Sequence, residues 1–142
     1  MSELARTIVG RLRVFLGNRR AGRRLSVSLP VGVCPLALIQ QRNGSRRPSF
    51  ISGKTYNVSP SGLALIVPVI HIEGHYLVGE ERSLVVRMEL PDGPLEMQAV
   101  PARYERLEDP DLTGYLIGAR ITEMKDDDRT RYNEFLRTLR QR

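Results

Sequence analysis

Apolar residues recur along this chain in two rhythms, one helical and one of strands. Residues 3–16 place Leu4, Ile8, Leu12 and Phe15 at spacings of four, four and three, which is one face of an α-helix. Arg6, Arg11 and Arg13 fall off that face. The pattern predicts a basic amphipathic helix, begun near Ser2 and Glu3 and stopped by Gly17-Asn18. Leu25, Val27, Leu29 and Val31 then alternate with Ser26, Ser28 and Pro30, the mark of a strand buried on one face. Leu36 to Gln41 extends it past Pro35. Arg42 to Pro48 is a polar insert with Asn43-Gly44 as a hairpin signal. Phe50 to Val58 and Leu63 to Val67 read as strands. Residues 68–81, with Pro68, Gly74 and Gly79, read as a loop with room for a short ordered piece. Leu84, Val86, Met88 and Leu90 alternate up to a turn at Pro91-Asp92-Gly93-Pro94. A further strand runs from Leu95 to about Arg106, an acidic turn spans Glu108 to Thr113, and Tyr115, Ile117, Ala119 and Ile121 alternate once more. Asp126-Asp127-Asp128 reads as the cap of a last helix with Tyr132, Phe135, Leu136 and Leu139 as its stripe. About six short strands with a helix at either end imply a mainly β chain, a small barrel or a sandwich.

Charge adds one fact to that picture. The 142 residues carry a net charge of +6, and all of it sits in residues 1–24, where seven arginines face only Glu3. The rest of the chain is balanced. A neutral body with one basic end suits an anionic partner: a phosphate ligand, a nucleic acid or an anionic membrane surface. A solvated basic tail is the plainer reading of the same residues. Cys34 is the single cysteine, so no intrachain disulfide forms, and its apolar surroundings predict packing rather than reactivity. Arginines interrupt every apolar run at the N-terminus and no cleavage pattern follows, so no signal peptide is expected. The uncharged stretches 25–41 and 55–72 contain prolines and polar residues and are not spans. A soluble cytoplasmic protein is the expectation.

His71 and His75 stand four apart, as metal ligands on a helix do, but Gly74 lies between them and no helical pattern surrounds them. The three aspartates 126–128 lack the spacing of a calcium loop. Ser59 has no glycine two residues before it, so no nucleophile elbow is present. Neither a phosphate-binding loop nor a dinucleotide fingerprint occurs. No metal, no cofactor and no enzyme activity are expected.

Two segments remain. Asn18-Arg19-Arg20-Ala21-Gly22-Arg23-Arg24 precedes the first strand, and Asn57-Val58-Ser59-Pro60-Ser61-Gly62 lies between two strands. Singly, the first reads as a solvated basic patch. The second reads as a turn in which Gly62 supplies an unusual backbone angle. In this order and spacing they resemble the PilZ family, whose signature is Arg-x-x-x-Arg before a barrel strand and then [Asp/Asn]-x-Ser-x-x-Gly. Arg20 to Arg24, followed by Leu25, matches the first part, with Arg19 and Arg23 forming an overlapping copy. Asn57, Ser59 and Gly62 match the second at its three fixed positions, followed by Leu63-Ala64-Leu65. Ile117-Gly118-Ala119-Arg120-Ile121 and the helix after it resemble the close of such a barrel.

The resemblance implies a six-stranded antiparallel β-barrel with a C-terminal helix, spanning 18–142, preceded here by an extra amphipathic helix in 1–17. It implies a receptor for cyclic di-GMP rather than an enzyme, with Arg19, Arg20, Arg23, Arg24, Asn57, Ser59 and Gly62 at the ligand and an unidentified downstream protein as the target of the signal. The chemistry agrees. Guanidinium forks bind phosphates and the O6/N7 edge of guanine, and short polar groups on a tight turn allow close approach. A barrel that keeps the fold but binds a protein instead of a nucleotide is the alternative. Nucleic acid is disfavoured, since few aromatics accompany the arginines. A homodimer stays open, as does membrane contact through 3–16, the less favoured of the two. The roles of the first helix and of the Arg46/Arg47 insert are not legible.

Overall fold

The computed structural model describes residues 24–40, 49–79, 82–109 and 112–141. The amphipathic segment 3–16, the arginines Arg19, Arg20 and Arg23, and the Asn43-Gly44 insert lie outside these residues. The described elements are β1 (Leu25–Ser26), β2 (Pro30–Pro35), α1 (Leu36–Gln40), β3 (Ile51–Val58), β4 (Gly62–Val67), β5 (His71–Ile72), β6 (His75–Tyr76), β7 (Leu84–Leu90), β8 (Gly93–Asp109), β9 (Leu112–Met124) and α2 (Asp126–Arg140).

The long strands form one closed antiparallel barrel. Neighbours follow the order β2, β7, β8, β9, β4, β3, and β3 returns to β2, with β1 extending that same edge. β1 and β2 thus act as one strand broken in the middle. Leu25 pairs with Val58 and Ser26 with Asn57, and after a one-residue slip Pro30 pairs with Lys54. Thr55 spans the break: its hydroxyl accepts a hydrogen bond from the Leu29 amide at 2.8 Å and donates to the Val27 carbonyl. The Thr55 amide donates to the Leu29 carbonyl at 2.9 Å. The predicted alternation survives. Leu29 and Val31 are buried, Leu25 and Val27 pack against the same core, and Ser26, Ser28 and Pro30 are exposed.

Inward residues of every long strand fill the barrel: Val33, Val58, Leu63, Leu65, Val86, Met97 and Ile117 are fully or almost fully buried. Val33 flanks Cys34, whose thiol is buried and pushed up by that burial, with Glu73 adding to the effect. β4 is buried on both faces. Its outward residues Ala64 and Ile66 join Leu107 and Leu116 in a second cluster, with Tyr56 packed against it. Tyr56 is the extra residue of a bulge, since Thr55 pairs with Leu65 and Asn57 with Ala64.

α2 packs on β8 and β1 through Tyr132 and Leu136, with Phe135 and Leu139 half-buried beside them. Arg131 pins it to the β7–β8 turn. The guanidinium donates to Asp92 at 2.9 Å and to the carbonyls of Gly93 and Pro94 at 2.7 Å, and the Asp92 carboxyl is held below its ordinary range by that hydrogen bond.

Four expectations are corrected. Residues 36–40 form a single helical turn, α1, and do not continue the strand. The cap of α2 is Lys125, which makes no side-chain capping bond; Asp126, Asp127 and Asp128 occupy the first turn, where their charge favours the helix dipole. The acidic turn is narrower than 108–113, because Glu108 and Asp109 still pair with Thr113 and Leu112. The fourth concerns Gly62 and belongs to the site. Within the expected loop 68–81, β5 and β6 pair as a small hairpin, with His71 edge-on to Tyr76 at 5.0 Å between ring centres. Among the described residues no helix is long and apolar enough to cross a membrane.

Candidate functional site

The register of β1 on β3 brings the two sequence segments together. Leu25 stands opposite Val58, so Arg24, the last residue of the arginine segment, stands one step beyond, level with the start of the turn 59–62. Arg24 is half-buried there. Arg19, Arg20 and Arg23 precede it and lie outside the described residues.

The turn closes on itself. The Ser59 amide donates to the Gly62 carbonyl at 2.9 Å, and the Gly62 amide donates to the Ser59 hydroxyl oxygen at 3.1 Å. That hydroxyl in turn donates to the Gly62 carbonyl at 3.2 Å. Ser59 is buried and braces the turn from inside. Three further bonds hold the turn from outside. The Ile121 amide reaches the Ser61 carbonyl at 2.8 Å. Arg129 donates to the Pro60 carbonyl at 2.8 Å, and the Tyr132 hydroxyl donates to the Ser59 carbonyl at 2.7 Å. Every carbonyl of residues 59–62 therefore has a partner.

Gly62 does not supply an unusual angle. Its φ is not among the positive values, which belong to Glu73, Gly74, Gly79, Gly93 and Gly114. It is required instead by close approach: a Cβ there would stand 2.9 Å from the Ala119 carbonyl oxygen on β9.

Asn57 sits where β1, β3 and β4 meet, between Ser26 and Ala64. It is 9% exposed, and its Oδ1 is screened from solvent with no hydrogen-bond partner among the described residues. A buried acceptor left unpaired costs about 1–3 kcal/mol, so its retention calls for an explanation outside packing.

A family model described as "PilZ domain" matches residues 18–138. The chain belongs to the PilZ domain family. Among solved structures, the PilZ domain of YcgR from Escherichia coli, solved with c-di-GMP, superposes on this chain with a TM-score of 0.59 at 11% identity, covering 87% of this chain and 92% of that one. The inhibitor of motility MotI (DgrA) from Bacillus subtilis gives a TM-score of 0.56 at 22% identity over 88% of this chain. Only 53% of MotI is covered, so this PilZ chain spans about half the length of that protein. No curated protein matches the chain. At these identities the structural likeness establishes the PilZ barrel with its C-terminal helix, as expected.

Sequence reasoning missed Arg129 and Tyr132. Tyr132 reads as one more apolar residue of the helix stripe, and nothing in the local sequence says that its hydroxyl meets a carbonyl 73 residues away. Burial pushes that hydroxyl above its ordinary range, against the lowering effect of the Arg129 charge. The folded protein thus keeps the Tyr132 proton where the unfolded chain, with its value near 10, releases it. This contribution to stability is full below about pH 10 and declines above it. Tyr132→Phe should cost about 1–2 kcal/mol by leaving the Ser59 carbonyl unpaired, and its stability should fall less steeply than that of the wild type above pH 10. Urea unfolding at pH 8 and at pH 10.5 measures both effects. Equal stability of the two proteins at pH 8 would mean the bond carries no weight.

Proposed function

We propose that this PilZ domain is a receptor for cyclic di-GMP, acting in the cytoplasm by binding and without catalysis, and passing the level of the second messenger to a downstream protein. The observation that carries the reading is the unpaired, buried Oδ1 of Asn57 two register steps from Arg24, the end of the arginine segment. Guanine offers N–H donors on its N1 and N2 edge, which such an acceptor takes. The ligand's two phosphates are anionic, and arginines suit both them and guanine O6/N7. Arg19, Arg20, Arg23 and Arg24 supply the cations, Asn57 reads a guanine edge, and Ser59 and Gly62 keep the turn low enough for the ligand to approach. The solved complex of the YcgR domain with c-di-GMP supports the ligand, and the motility role of MotI supports a motility-type output; exopolysaccharide or virulence control would use the same receptor chemistry.

Calorimetric titration of cyclic di-GMP into the wild type, with GTP as control and a fluorescent ligand as a second readout, tests the proposal. Saturable binding to cyclic di-GMP alone is expected, weakened about 10-fold or more by Arg20→Ala and by Arg24→Ala, since each removes a charge-assisted contact. A wild type silent in both assays would leave a PilZ barrel whose partner is a protein.

A further inference from the structure

An apolar cluster sits on the outside of the barrel, where strand side chains ordinarily meet water. On β4, Leu63, Leu65 and Val67 point into the core, so Ala64 and Ile66 point out. The β4–β9 register sets Leu116 beside Ile66, and Leu107 joins them from β8. Ala64, Ile66, Leu107 and Leu116 are each 8% exposed or less. Outward positions elsewhere are wet: Arg87 and Glu89 on β7 are exposed. Burial this complete on the outer face of a sheet calls for a second layer over it. α2 and the β5–β6 hairpin lie against the main core, and α1 lies beside β2. Of the described apolar side chains outside the cluster, Tyr56 alone packs against it. The far rim of the strip is acidic, since Glu105 and Asp109 share the face of Leu107 on β8, two residues to either side of it.

The chain carries an element that matches this strip in length, polarity and attachment. The sequence predicts an amphipathic helix over 3–16, with Leu4, Ile8, Leu12 and Phe15 on one face. Such a helix is about 21 Å long, and the strip from Gly118 to Leu112 along β9 measures about 20 Å. Arg6, Arg11 and Arg13 against Glu3 make the segment basic, which suits the acidic rim. The described chain starts at Arg24, next to β1, and Ser26 pairs with Asn57 while Asn57 pairs with Ala64. β1 is therefore two strand spacings, about 10 Å, from the near end of the strip. Residues 17–23 reach about 23 Å when extended, so they bridge that gap with length to spare. A tether this short holds the segment near the strip at an effective concentration on the order of millimolar.

We infer that the outer strip formed by Ala64, Ile66, Leu107 and Leu116 is the docking surface for this chain's own residues 3–16, which lie on it as an amphipathic helix with the stripe of Leu4, Ile8, Leu12 and Phe15 turned to the barrel. The inference does not depend on the ligand. It directs the apolar face of the segment to the barrel and away from a membrane surface. It also makes residues 17–23 a loop closed at both ends, by the docked helix and by β1.

Amide hydrogen exchange of the full chain, read by mass spectrometry on peptides covering 3–16 and β7, tests this from both sides of the contact. In the wild type the amides of 3–16 should be protected, equally at high and low protein concentration. Leu12→Asp, on the stripe, should abolish that protection. Ile66→Ala combined with Leu116→Ala, on the strip, should speed exchange of 3–16 about 10-fold or more while β7 stays protected. Arg6→Gln, off the stripe, and Glu89→Ala, on another outward face of the barrel, should leave 3–16 as in the wild type. Where the double variant loses protection in β7 as well, the single Leu107→Ala, at the far end of the strip, takes its place. Exchange of 3–16 at the rate of an unstructured peptide in the wild type would overturn the inference. Protection that disappears on dilution would assign the strip to a second copy of the chain, and protection that survives the strip variants would put the helix elsewhere; either result also overturns it.

Discussion

Replacing Asn57 by alanine should raise the melting temperature by about 3 °C and, in the same variant, weaken cyclic di-GMP about 10- to 100-fold. Both effects follow from one atom. Oδ1 is screened from solvent and unpaired among the described residues, so the folded state carries a desolvation cost that the unfolded chain, open to water, does not. Removing the acceptor relieves it, for a gain of about 1 kcal/mol after the lost packing of the amide is allowed for. Asparagine and alanine are both poor strand formers, so intrinsic preference decides little. The loss of affinity arises because the bound state is where the acceptor finds its donors. Opposed changes of this kind mark a residue kept for binding against the interest of stability. Thermal unfolding and calorimetry on one preparation give both numbers. A variant that melts lower and binds as well as the wild type would make Asn57 a structural residue and remove the main support for the site.

The barrel was legible in the sequence wherever one face of a strand is wet. Leu25, Val27, Leu29 and Val31 alternate with polar neighbours, and that pattern holds across the break between β1 and β2 because Thr55 replaces the missing ladder bonds. Where both faces are buried the pattern carries less. Leu63-Ala64-Leu65-Ile66-Val67 reads as a strand, but nothing in it separates the residues that fill the barrel from those of the outer cluster. Leu36-Ala37-Leu38-Ile39 reads as strand for a related reason: a helix of five residues is too short for its period to show, and an apolar run after a strand looks like more strand.

At the site, residue identity was legible and mechanical role was not. Asn57, Ser59 and Gly62 stand out by spacing, and β1 pairing on β3 brings Arg24 beside them. The reason Gly62 is glycine lies on another strand, in the Ala119 carbonyl. The brace that holds the turn comes from α2, through Arg129 and Tyr132, which are 69 and 73 residues away from the carbonyls they meet. Contacts of that separation exist only once the barrel has closed and the helix has docked.

Gly62→Ala should therefore be costly in both currencies, stability and affinity, in contrast to Asn57→Ala. The added Cβ would lie 2.9 Å from the Ala119 carbonyl oxygen, closer than carbon and oxygen approach. The obstacle is backbone, which no rotamer change can move aside. Either β4 shifts away from β9, loosening the pairing of Gly62 with Arg120, or the turn opens and loses the bonds between residue 62 and Ser59. Overpacking of this kind costs about 1–3 kcal/mol, and the upper end is expected here. Affinity should fall with it, on the order of 100-fold, because the turn and Asn57 are joined through the same few residues of β3 on which β1, and with it Arg24, pairs. Gly74→Ala separates the two effects. Gly74 has a φ of +83° with nothing within 4 Å of an added Cβ, so alanine there costs about 1–2 kcal/mol through backbone strain alone. It lies in the β5–β6 hairpin, outside the proposed site. If Gly74→Ala loses stability and keeps its ligand while Gly62→Ala loses both, the turn is a binding element whose shape is set by that close approach. If the two variants bind alike, the glycine serves the barrel only.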